Sequence, residues 1–79
     1  MTPQEKLGHL IDEAWEQYII LHKAEIESGY DDAMDSMERT EAEGYAMGLE
    51  AAYVLVYDKA YESKVAKFDP YDYEESLNG

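Results

Sequence analysis

The chain has 79 residues, no cysteine and a formal net charge of −13, from 19 acidic against 6 basic residues. That length supports one small domain, and the lack of cysteine removes disulfides, thiolate metal sites and thiol nucleophiles. The charge repels phosphate and anionic lipid, which argues against direct nucleic-acid or membrane-surface binding and for a basic partner protein.

A domain of this size buries only about 60% of the surface its unfolded chain exposes. A lone core below about 80 residues rarely supplies more than about 3–5 kcal/mol, so with no disulfide the remaining support is self-association. Disorder is opposed by the 46% apolar content, eight tyrosines and one tryptophan. The N-terminus carries no apolar leader, and the longest apolar run, Ala51 to Tyr57, is too short to cross a bilayer. A cytoplasmic location is therefore expected.

Thr2-Pro3-Gln4-Glu5 announces a helix twice over. Thr2 and Glu5 have capping-box spacing, and Pro3 fits the first helical position, where an N–H is not needed. Apolar residues then recur at helical spacing through Leu7, Leu10, Ile11, Ala14, Trp15, Tyr18, Leu21 and Ile26, with His9, Asp12, Glu13, Glu16, Lys23 and Glu27 opposite. Ile20 falls on the polar side, which suggests contact with a second neighbour. Ser28-Gly29 supplies the left-handed stop, giving a first helix over about 3–28.

Asp31 or Asp32 can cap a second helix, with Asp35 in its favourable first turn. Its pattern runs over about 32–66, and Asp69-Pro70 forbids going further. The short connection makes an antiparallel hairpin.

The second helix is organised around Gly44 to Tyr57, a nearly uncharged stretch in an acidic chain. One of its faces carries Met34, Met37, Gly44, Tyr45, Gly48, Ala52 and Leu55; another carries Met47, Val54, Tyr61 and Val65, with Tyr57 and Phe68 at its edge. Apolar on so many sides, it needs more cover than one antiparallel helix supplies. The expected assembly is a homo-oligomer, most simply a dimer packed as a four-helix bundle, with Trp15, Tyr18, Gly44, Met47, Gly48, Ala52, Val54, Leu55 and Tyr61 as packing residues. Gly44-x-x-x-Gly48 reads as a close helix crossing. Two alternatives compete. Tyr53–Tyr57 read alone resembles a strand, and Gly44 and Gly48 can break the helix, each costing about 1 kcal/mol against alanine. The helix formers Leu49–Ala52 and Lys59–Glu62 favour one continuous helix.

Phe68 to Gly79 reads as an acidic, tyrosine-rich flexible tail, able to dock through Phe68, Tyr71 and Tyr73. The organisation is then a hairpin oligomerisation domain over 1–67 and a tail over 68–79.

Residues 25–43 concentrate eight carboxylates, Glu25, Glu27, Asp31, Asp32, Asp35, Glu38, Glu41 and Glu43, against Arg39 alone. On a hairpin these crowd one end. Such a tip either solubilises the protein or occupies a basic groove, imitating nucleic-acid phosphates, with steered and salt-sensitive association. Tyr71, Asp72, Tyr73, Glu74 and Glu75 extend the candidate binding surface into the tail. Met34 and Met37 are adaptable apolar anchors beside the charges.

Metal and catalytic chemistry find little support. A calcium loop starting at Asp32 would put Met34 third and Met37 where its sixth-position glycine belongs. Neither His9 nor His22 has a glutamate three residues before it, as ferritin-like di-iron sites require. His22 instead suits a hydrogen-bonded interface. Nucleophile elbows and phosphate-cradling glycine loops are missing from the sequence. Glu25 and Glu41 intrude on apolar helix faces, where a buried carboxylate can become a general acid or base but more often pairs with a lysine or a tyrosine hydroxyl.

The run Glu43-Gly44-Tyr45-Ala46-Met47-Gly48-Leu49-Glu50-Ala51-Ala52-Tyr53, within a compact acidic chain, resembles the small helical accessory proteins of bacteriophages, notably those of actinobacterial hosts. The resemblance covers the central third of the chain and implies a protein of the host cytoplasm that binds and blocks a host protein. The expectation is an all-α, non-enzymatic protein without cofactor or metal that binds and inhibits a basic partner. The alternatives are an assembly protein whose function is oligomerisation, and a small ligand- or metal-binding helical bundle.

Overall fold

The computed structural model describes residues 1–31, 33–65 and 68–78. They form three helices, α1 (Pro3–Glu27), α2 (Ala33–Tyr57) and α3 (Pro70–Asn78), with no strand among them. Helices α1 and α2 pack side by side as a hairpin, and α3 packs on α1.

The start of α1 is the capping box anticipated from sequence. Thr2 Oγ1 accepts from the Glu5 amide at 3.1 Å, and the Thr2 amide donates to Glu5 Oε1 at 3.3 Å. Its end is a Schellman turn, with the Tyr30 amide donating to the Glu25 carbonyl and the Gly29 amide to the Ile26 carbonyl, both at 3.0 Å. Gly29 takes φ +73°, as that turn demands. Of the residues expected at the start of α2, Asp35 stands in its first turn and Asp32 lies outside the described residues.

Helix α2 runs unbroken through Gly44 and Gly48, and Tyr53–Tyr57 is helical rather than a strand. It stops at Tyr57, short of the expected end near residue 66. Asp58 adopts φ +56°, a left-handed conformation that aspartate tolerates better than most residues. The chain then turns back, and residues 60–63 lie outside regular structure. Tyr61 crosses the N-terminal half of α1 there: a Cβ built on Gly8 would come within 2.7 Å of the Tyr61 ring. Helix-favouring residues such as Lys59 and Ala60 yield to this tertiary contact.

The expected tail carries a helix, α3, and docks through Phe68 and Tyr73. Asp69 caps α3, its Oδ1 accepting from the Tyr71 amide at 2.9 Å, and Pro70 occupies the first helical position. Asp69-Pro70 does exclude helix before it, but it also starts the next one.

Within the chain α2 packs on α1 through a narrow face. Its buried residues are Ala46 and Tyr53, half a turn away from Gly44, Gly48 and Leu55. Among the described residues Gly44 and Gly48 have no atom within 4 Å of a built Cβ, so they form no close crossing with them. Leu55 is 86% exposed, and Met37, Tyr45, Met47, Val54 and Val56 are exposed too. Ile20 on α1 is likewise exposed rather than covered by a second neighbour. The apolar core is small: Ile11, Ala14 and Ile26 from α1 against Ala46 and Tyr53 from α2.

Candidate functional site

The acidic end of the hairpin is built from the last turns of α1, the first turns of α2, and α3. Glu27, Asp31, Glu38 and Glu41 are exposed there, whereas Asp35 and Glu43 are half-buried and Asp32 lies outside the described residues. Met34 and Met37 are exposed beside them. Glu25 departs from the expected surface cluster. It is fully buried, with Oε2 accepting from Arg39 Nε at 3.4 Å across the hairpin. Its Oε1 has no hydrogen-bond partner among the described residues; His22 Nε2, at 3.9 Å, is too far for one. Arg39, the single base opposing the cluster in sequence, therefore points into the structure to compensate a core carboxylate.

Around this pair runs a line of rings. Trp15, Tyr18, His22, Phe68 and Tyr73 follow one another with centroids 5.4, 5.4, 5.3 and 5.8 Å apart. His22 is buried, with Nδ1 3.0 Å from the Tyr18 hydroxyl. Burial, joined by the Arg39 cation, pushes the imidazole below its ordinary pKa. Burial and the neighbouring Glu43 carboxylate hold the Tyr18 phenol above its ordinary value.

The ring line fastens α3 to the hairpin. The Tyr73 hydroxyl donates to Glu27, and that bond, with burial adding to it, raises the phenol pKa. Lys23 Nζ lies 5.2 Å from the Tyr73 ring centroid and 5.8 Å from that of Phe68, within cation–π range. Tyr71, Asp72, Glu74 and Glu75 stay exposed. Tyr73 and Glu74 of the tail thus meet Glu27 and Tyr30 at the end of α1, where burial first and the Glu74 carboxylate second raise the Tyr30 pKa.

A second cluster joins the 61–64 segment to α1. Asp12, expected on the solvated face of α1, accepts from Ser63 Oγ at 2.7 Å, the Tyr61 hydroxyl at 2.9 Å and the Lys64 amide at 3.1 Å. Burial pushes the Asp12 carboxyl up, but the bonds from Ser63, Tyr61 and Lys64 outweigh it and hold the pKa below its ordinary value. Burial and the same carboxylate push Tyr61 up to about 12. No local pattern announces this clasp, because its partners are 49 to 52 residues apart.

Between clasp and acidic end lies a cleft of about 690 Å³. Trp15, Tyr18, Tyr61 and Phe68 contribute walls, together with Glu43, Glu50 and Glu62. Trp15 Nε1 donates to Glu50 Oε1 at 2.6 Å, which fixes that carboxylate at the cleft. Of the expected packing residues, Trp15, Tyr18, Met47 and Tyr61 line this cleft, whereas Gly44, Gly48, Val54 and Leu55 face outward and Ala52 is half-buried.

Among the described residues no group of three histidine, aspartate or glutamate side chains is arranged to hold a metal. No described helix is long and apolar enough to cross a membrane. No protein-family model, curated protein or solved structure matches the chain.

Proposed function

We propose that the chain is a non-enzymatic interaction module that binds a basic partner protein through its acidic end and inhibits it, with nucleic-acid mimicry as the sharpest form. The observation that carries this reading is the union of two acidic segments. The Tyr73–Glu27 bond and the Lys23–Tyr73 contact hold α3 against the end of α1. That brings α3, with exposed Asp72, Glu74 and Glu75, to the end of α1 that carries Glu27 and leads into Asp31, while Glu38 and Glu41 stay exposed on α2. Arg39, engaged with buried Glu25, does little to neutralise that surface. A concentrated single-sign field steers an oppositely charged partner and makes association salt-sensitive. The resemblance to phage accessory proteins suggests a host protein as the target, and host cytoplasm as the location.

The test is an affinity pull-down from lysate at stepped salt, with captured proteins identified by mass spectrometry. A basic protein retained at low salt and released at high salt supports the reading; no partner, or one indifferent to salt, sinks it.

The assembly reading is favoured by a separate observation, the outward face of α2. Gly44, Gly48, Ala51 and Leu55 form one exposed stripe, flanked by Tyr45 and Val56, with Glu41 between it and Met37. A second copy is the occupant that fits: its matching stripe is uncharged from Gly44 to Leu55 apart from Glu50, whose carboxylate is engaged by Trp15. An antiparallel pairing would also keep the two acidic ends apart. Light scattering decides it, since a stable 9.1 kDa particle would refute self-association.

A further inference from the structure

We infer that the cleft between α1, α2 and the 61–65 segment receives an alkyl cation, the end of a lysine or arginine side chain presented by the basic partner. The inference rests on the proposed partner reading and gives it a specific anchor.

The cleft's volume of about 690 Å³ falls in the range of small-ligand sites. Its walls combine two features that select one ligand chemistry. The rings of Trp15, Tyr18, Tyr61 and Phe68 line it, an aromatic wall of the kind to which an ammonium or guanidinium is attracted and along which an aliphatic stem can lie. Glu43, Glu50 and Glu62 add three carboxylates, and no lysine, arginine or histidine is among the described lining residues. An anion would meet repulsion here, and a neutral apolar group would desolvate carboxylates without compensation.

Two of the lining polar groups are held in place. Trp15 Nε1 holds Glu50, and Tyr61 is anchored by Asp12. The chain itself displays the expected mode of binding at the edge of this site. Lys23 Nζ stands over the Phe68 ring at 5.8 Å, and Phe68 also lines the cleft.

Trp15 is the one tryptophan in the chain, so its emission reports directly on the cleft. The protein is titrated with Nα-acetyl-lysine amide and with Nα-acetyl-norleucine amide, a neutral analogue of nearly the same stem, at fixed ionic strength. Saturable change with the lysine derivative at least about fivefold tighter than with norleucine supports the inference. Equal response to both, or no response to either, overturns it. In Glu43→Gln/Glu62→Gln, with helicity checked by circular dichroism, the preference should fall to about twofold or less; Glu62→Gln alone, at an exposed position, serves if the double variant misfolds. A preference unchanged in a folded variant also overturns the inference. The partner reading fails separately. If the pull-down recovers a salt-sensitive basic protein equally well with wild type and the folded variant, the cleft anchor is wrong and the reading stands; if it recovers none, the reading falls.

Discussion

Helices α1 and α2 are each 25 residues long and pack against each other, yet they use their surfaces very differently. Helix α1 buries Gly8, Ile11, Ala14, His22, Glu25 and Ile26, because α2 lies on one side while the 61–64 segment and α3 close over others. Helix α2 buries only Ala46 and Tyr53, although its sequence from Gly44 to Tyr57 is the least charged in the chain. Burial therefore follows position in the fold rather than apolarity. The central helix is the one all later segments return to, and the more apolar helix is left half covered.

The contrast is sharpest when matched positions are truncated. Ile11→Ala, at a fully buried site, should cost about 2–5 kcal/mol in urea unfolding. Leu55→Ala, at 86% exposure, should stay within about 0.5 kcal/mol for the monomer. A cost above about 2 kcal/mol at Leu55 that grows with protein concentration would mean that the outward face of α2 is covered by a second copy.

Removing Arg39 tests the polar part of the core. Arg39→Ala should destabilise by about 3 kcal/mol, because buried Glu25 would lose the base that faces it. The double variant Arg39→Ala/Glu25→Gln should recover part of that loss; if it is no more stable than the single variant, Glu25 is not the group that Arg39 compensates.

The glycines should respond in opposite directions. Gly8→Ala forces the Tyr61 ring aside and should cost about 1–3 kcal/mol. Gly48→Ala meets open space and should gain up to about 1 kcal/mol from helix propensity alone. Should Gly48→Leu convert a larger particle into a monomer by light scattering, the glycine stripe serves assembly; an unchanged particle removes it from any interface.

The smallest effects are in pH. His22 has a folded pKa below its ordinary 6.5, so the unfolded chain takes up the proton first, and stability should begin to fall as pH drops through about 6.5. Asp12 is also depressed, so its contribution is present above its ordinary 3.8 and is lost as pH falls below it. His22→Gln should remove the first step and leave the second. Tyr61 has the opposite sign: its contribution should be lost as pH rises through 10 towards about 12.

Much of α1 could be read before folding. Thr2, Pro3 and Glu5 set its start, Gly29 its end, and Ile11, Ala14 and Ile26 lie on the apolar face read from spacing. The inward face of α2 could not be, because a helix apolar on every side gives no reason to choose Ala46 and Tyr53 over Gly44 and Leu55. Asp69-Pro70 was legible by the same rule as Thr2-Pro3, as a cap followed by proline, but its meaning as a stop obscured its meaning as a start. The acidic cluster was visible as composition and Glu25 as an intruder on an apolar face, while its pairing with half-buried Arg39 depends on a contact across the hairpin. The cleft was out of reach altogether, since its walls come from three separate stretches of chain.

The clasp at Asp12 also sets an order of events in time. Its bonds to Tyr61, Ser63 and Lys64 close loops of about 50 residues, far longer than the hairpin turn between α1 and α2. Loop closure of that length is entropically costly, so the hairpin should form first and the return segment should lock afterwards. In the native state the sequence reverses. The 61–64 amides should exchange with solvent through local opening, while the centre of α1 waits for global unfolding. Each such opening unseats Tyr61 from Gly8 and removes one wall of the aromatic cleft.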